Sequence, residues 1–172
     1  AKALINDLAS YYRNNLTDEN TMISILNELQ HINAYIHLEQ ARFGDRLKVD
    51  YNINIEESFQ VPALILQPIV ENAIRHGLYQ KLEGGRIIIR IDKQKKYFRI
   101  AVIDDGLGMT SDRLKHIFDN TKPKNSIGLT NVNQRLITLY GPKNKLIIYS
   151  RINNGTIVIM KIPFQEVNKN ND

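Results

Sequence analysis

The chain has 172 residues, of which 42% are hydrophobic and 24% charged, with a formal net charge of +5 and no cysteine. That length and composition suit one globular domain with a short appendage and a core of its own. They exclude disulfides, thiolate metal sites and a cysteine nucleophile, and no uninterrupted apolar run approaches the length of a transmembrane helix.

The first residue is Ala1, inside a helical pattern, as expected of a piece of a longer chain. Residues 3–16 place Leu4, Leu8, Tyr11, Tyr12 and Leu16 at helical spacing. Thr17, Asp18, Glu19 and Asn20 read as a break, and a second helix is predicted over 21–43 from Ile25, Leu29, Ile32, Ile36 and Phe43. After Gly44, alternation of Leu47, Val49, Tyr51 and Ile53 predicts a strand. Pro62 is read as opening an apolar helix over about 62–78, with Gly77 near its end. Gly84 and Gly85 make a turn. Strands follow at 86–92 and 97–103, then a glycine-containing loop at 104–109 and a short helix at about 111–118. A polar stretch at 119–126 precedes a helix at 128–140. A last hairpin pairs 145–152 with 156–162 across Asn153, Asn154 and Gly155. The tail from Glu166 is polar and expected to fray. Mixed strands and helices with hairpins predict an α+β layer sandwich, one sheet with helices on one face.

Lys and Arg are scattered. Their one cluster, Lys93, Lys95 and Lys96, has Asp92 beside it and reads as a solvated turn, so no nucleic-acid partner is expected.

Three clusters carry chemistry. Asn72, Arg75 and His76 lie at i,i+3 and i,i+4 on one helix face, next to Glu71. An amide oxygen is a hard ligand suited to Mg²⁺, and a guanidinium forks onto phosphate oxygens. The same pattern is also that of an ordinary amphipathic helix. Asp104-Asp105-Gly106-Leu107-Gly108-Met109 follows an apolar strand. It puts a carboxylate beside a tight turn where glycines admit a flat ligand, yet Asp-Gly is also a common turn. Ser126-Ile127-Gly128-Leu129 begins a helix, whose free N–H groups favour phosphate, although a simple cap has the same sequence.

The order of these clusters resembles the N, G1 and G2 boxes of the GHKL ATPase superfamily, with residues 109–127 as its ATP lid. Glu39–Leu47, the run Val61–Gly77 (VPALILQPIVENAIRHG), Ile127–Leu136 and the Gly155–Pro163 strand are similar, more narrowly, to LytS/YesM-type sensor histidine kinases.

The resemblance implies a Bergerat-type two-layer sandwich with a mixed sheet over 45–165. It is preceded by helices over 1–44 from the end of the dimerisation region and followed by a disordered tail at 166–172. It implies ATP and Mg²⁺ as ligands, with Asn72 holding the metal and Arg75 and His76 facing the phosphates. Asp104 would accept the adenine amino group, and Gly106, Gly108 and Met109 would shape the base pocket. Lys124, Ser126, Ile127, Gly128 and Leu129 would close on the phosphates, and Glu71 would orient water or metal. Two departures stand out. Only the last glycine of a glycine-rich lid end remains, at Gly128, and Pro68 occupies the place of the glutamate that activates water in ATP-hydrolysing members. That favours phosphoryl transfer to a histidine. The acceptor segment is not found around His31, His37, His76 or His116, so the chain is expected to bind ATP without phosphorylating itself. The implied partners are the protein's own phosphoacceptor helices, a second copy in a homodimeric parent and a response regulator. The implied setting is a cytoplasmic domain of a membrane-bound parent.

Overall fold

The computed structural model describes residues 21–79, 81–118 and 127–164. The expected helix at 3–16, the break at 17–20, Lys124, Ser126 and the 166–172 tail lie outside them.

Strand β1 (Met22–Ser24) opens the described chain and leads into α1 (Ile25–Phe43). The helix therefore starts later than the periodicity predicts. Ser24 is its N-cap, its hydroxyl accepting the Asn27 N–H at 3.1 Å. Residues 22–24 are drawn away from the helix by antiparallel pairing with β3 (Gln60–Pro62). Pro62 thus sits in a short strand, where a missing N–H is tolerated at an edge, and does not open a helix. The helix α2 starts at Gln67, with Pro68 in its first turn, and runs over Gln67–Asn72 before widening into a π-helical turn, Ala73–Leu78. Between β3 and α2 the chain makes a turn in which Leu64 has φ 57°.

The main sheet has the order β2-β4-β5-β7-β6, built from Leu47–Asn54, Gly85–Lys93, Tyr97–Asp104, Thr156–Pro163 and Ile147–Ser150 for β2, β4, β5, β7 and β6. Strands β2 and β4 are parallel and the other pairs antiparallel, so the sheet is mixed as expected. Alternation sends Ile87, Ile89, Ile91, Ile100, Val102, Val158 and Met160 to one buried face. There they join Ile32 and Ile36 of α1, Ile69 and Ile74 of α2, and Leu129, Val132 and Leu136 of α4 (Ile127–Tyr140) in one core. The short α3 is Ser111–Lys115, three residues shorter than read from the sequence, and its Thr110 cap accepts the Arg113 N–H at 3.1 Å. The last hairpin turns through Asn153 and Gly155, both at positive φ.

Candidate functional site

The end of β5 carries Asp104, which is 5% exposed. Its Oδ1 accepts the Gly106 N–H at 2.9 Å, and the Thr156 backbone N–H also bonds to the carboxylate. Burial pushes its pKa up to about 6, against the pull of those two N–H groups. The loop that follows is packed so closely that side chains have no room. A Cβ on Gly106 would stand 2.3 Å from both Cα and O of Gly77, and one on Gly155 would stand 1.8 Å from the Asp104 carbonyl oxygen. Gly108 has φ 64° with the Arg151 carbonyl where a Cβ would be.

The end of α2 helps to hold the loop. The Gly77 carbonyl, in the last turn of the helix where carbonyls have no partner within it, accepts the Leu107 N–H at 3.1 Å. On the far side the Met109 N–H donates to Ser150 Oγ at 2.9 Å. That hydroxyl lies 3.0 Å from the Gly155 carbonyl oxygen and 2.9 Å from Thr156 Oγ1. Asp104, Gly106, Gly108 and Met109 are thus brought together, with Gly77, Ser150 and Thr156 as residues to which the sequence reading gave no part in the site. Asp105 is not part of this site. Its carboxylate accepts the Arg86 N–H at 2.8 Å and pairs with Lys81 at 3.7 Å.

On α2, Asn72 is half-buried, while Arg75 and His76 are exposed. Partial burial, then the charges of Arg113 and Arg75, hold the His76 pKa below its ordinary value. Arg113, on α3, is therefore a third cationic group at this place. No motif marked it, because its nearness to His76 is a tertiary contact between α3 and α2.

The helices α2 and α4 meet at their starts, where a Cβ on Gly128 would stand 3.2 Å from Pro68 Cβ. Ile127 is 54% exposed and Leu129 is in the core, so Leu129 offers the site only its backbone. A cavity of about 260 Å³ lies between the two helices, lined by Gln67, Pro68, Glu71, Gly128, Asn131 and Arg135 among others. Glu71 accepts from Gln67 Nε2 at 2.8 Å. Arg135 donates to the carbonyl oxygens of Ala63 at 2.8 Å and Leu64 at 3.5 Å. Among the described residues no group of three or more His, Asp or Glu could hold a metal ion. No described helix is long and apolar enough to cross a membrane.

Residues 60–166 match the family described as histidine kinase-, DNA gyrase B-, and HSP90-like ATPase, and residues 1–47 match a histidine kinase family. The chain is 39% identical over 166 residues to the sensor histidine kinase YpdA of Escherichia coli K12, and 35% identical over 173 residues to the sensor protein LytS of Bacillus subtilis 168. Each match takes in 96% of this chain and 29% of the relative, so the chain spans less than a third of their length. The fold is shared with the catalytic domain of histidine kinase ThkA, at a TM-score of 0.65 and 15% identity over 83% of this chain and 95% of that one. ThkA also matches in its complex with the response regulator protein TrrA, at a TM-score of 0.62 and 18% identity over 84% of this chain and 42% of that one.

Proposed function

Because the chain belongs to the histidine kinase-, DNA gyrase B- and HSP90-like ATPase family, we propose that it is the ATP-binding catalytic domain of a two-component sensor histidine kinase. It hands the γ-phosphoryl group of ATP to a histidine outside these residues, for relay to a response-regulator aspartate. The observation that carries this reading is the buried Asp104 carboxylate at a strand end, packed against the backbones of Gly77 and Gly106.

The Asp104 carboxylate accepts a hydrogen bond from the adenine amino group, and Gly106, Gly108 and Met109 shape the pocket around the base. Arg75, His76 and Arg113 neutralise phosphate charge, and the start of α4 offers the Gly128 and Leu129 amides. Ile127, Ser126 and Lys124 complete the lid end in this reading. Asn72 supplies one oxygen to Mg²⁺. The donor set fits that ion, which takes few protein ligands and completes its shell from phosphate and water; when bound, it neutralises charge on the transferring group. Glu71 borders the cavity beside Pro68 and orients water or metal there. Catalysis of this kind is positioning and charge neutralisation, with no covalent intermediate on this domain. ThkA's complex with TrrA supports a response regulator as partner. A homodimeric, membrane-bound parent fits the likeness to LytS.

The test is calorimetric titration with a non-hydrolysable ATP analogue, with and without Mg²⁺, beside Asp104→Asn. Binding that the variant loses supports the reading. A folded, unmodified chain that binds no analogue would overturn it.

A further inference from the structure

Glu28 is a buried charge that the nucleotide reading leaves unused. It lies in the first turn of α1 and is 0% exposed. Oε1 accepts the Leu66 N–H at 2.8 Å, Oε2 accepts the Leu64 N–H at 3.0 Å, and the Gln67 backbone N–H bonds to the carboxylate as well. These donors belong to the turn from which α2 springs, and the first N–H groups of a helix have no partner inside it. Glu28 therefore stands at the N-termini of two helices at once, which is what makes a buried carboxylate tolerable. From the other side, Arg135 of α4 donates to the Ala63 and Leu64 carbonyls of the same turn. The turn is held through its donors by α1 and through its acceptors by α4, and Leu64 is kept at φ 57° between them.

We propose that Glu28 is a positioning residue for the phosphate end of the nucleotide site. Through the 63–67 turn it fixes the start of α2, and so Asn72, relative to Gly128 at the start of α4. This rests on the nucleotide-binding reading above. It makes α1 part of the machinery, because a shift of α1 moves the acceptor that the turn depends on. The base end is built by Asp104, Gly106, Ser150 and Thr156 on β5, β6, β7 and their loops; it meets α2 at Gly77, at the end of the helix away from the 63–67 turn, and has no bond to Glu28.

Glu28→Gln keeps the shape but turns one acceptor into a donor that faces a backbone N–H. Arg135→Lys keeps the charge and loses the fork. Adenosine, followed by NMR shift titration, reads the base end. The Mg²⁺-loaded ATP analogue, followed by calorimetry, reads both ends. In folded Glu28→Gln, adenosine binding is expected to be unchanged while analogue affinity falls about tenfold, as the start of α2 loses its fixed place relative to Gly128; Arg135→Lys is expected to change in the same direction. A proportional loss for both ligands, as a merely structural role would give, overturns the proposal, and so does no change for either. Should Glu28→Gln not fold, Arg135→Lys decides by the same comparison. If the unmodified chain binds neither ligand, the nucleotide reading fails and the proposal with it, whereas binding without the split between ligands sinks the proposal alone.

Discussion

A Cβ placed on Gly77 would stand 2.8 Å from Oδ1 of Asp104. The helix that carries Asn72, Arg75 and His76 and the strand that carries Asp104 are thus in contact through a glycine. The two glycines of this contact are expected to behave differently. At Gly106 a methyl group meets the Gly77 backbone at 2.3 Å, and neither backbone has room to yield. Gly106→Ala is expected to destabilise the chain by about 2 kcal/mol or more and to abolish analogue binding. Gly77→Ala meets a side chain first, so it is expected to lose binding at a smaller cost in stability. Urea unfolding beside calorimetry separates the two, and equal stability losses would contradict the packing argument.

The pKa of Asp104 sets a second expectation, with a definite sign. Its folded pKa of about 6 lies above the ordinary 3.8. The protonated form is therefore the one the fold favours. The resulting stability is full below the ordinary pKa and is lost as pH rises through about 6. The ionised carboxylate at neutral pH then costs up to about 3 kcal/mol, the price of keeping an acceptor ready for a base. Between about pH 4 and pH 7 the stability of Asp104→Asn, relative to the unmodified chain, is expected to improve by up to that amount. Base affinity of the unmodified chain should fall as pH drops through about 6. Parallel stability curves for the two proteins across this range would contradict the assignment.

The sheet and the glycine-containing loop after β5 were legible because their signals are local. Alternation places Ile87, Ile89 and Ile91 on one face, and Asn153 and Gly155 mark the last turn. What periodicity misread was the approach to α2. The run Val61–Leu66 is apolar enough to look helical, but residues 60–62 pair with 22–24 and Glu28 captures N–H groups 36 and 38 residues away. Long-range capture of this kind leaves no period in the sequence. The π-helical turn over Ala73–Leu78 escaped as well, since apolar periodicity does not report a change in the hydrogen-bond step within a helix.

Arg113 is expected to act on His76 before any nucleotide arrives. Its charge is one of the causes, after burial, that hold the His76 pKa down. Arg113→Ala should therefore raise the His76 pKa towards its ordinary value of 6.5, seen as a shifted midpoint in an NMR titration of the imidazole. If the proposed nucleotide site holds, the same variant should weaken the Mg²⁺-loaded analogue more than adenosine, because it removes a cation beside Arg75 and His76. An unmoved His76 midpoint would place Arg113 outside the site.

Ser150 ties the base loop to the sheet, and its removal should be read at one amide. Its hydroxyl accepts from the Met109 N–H and bridges towards the Gly155 carbonyl and the Thr156 hydroxyl. Ser150→Ala leaves the N–H of Met109, itself only 8% exposed, with no side-chain acceptor. A buried donor in that state costs about 1–3 kcal/mol. Because Met109 closes the loop that begins at Asp104, the loss should appear as faster hydrogen exchange at Met109 and the neighbouring loop amides. Exchange at the core strand positions Ile89 and Ile100, which make no contact with that hydroxyl, should follow global stability only. Base affinity is expected to fall with the loop's order while the fold persists. If Met109 exchange stays unchanged in the variant, the loop is held by the glycine contacts with α2, and Ser150 serves the hairpin alone.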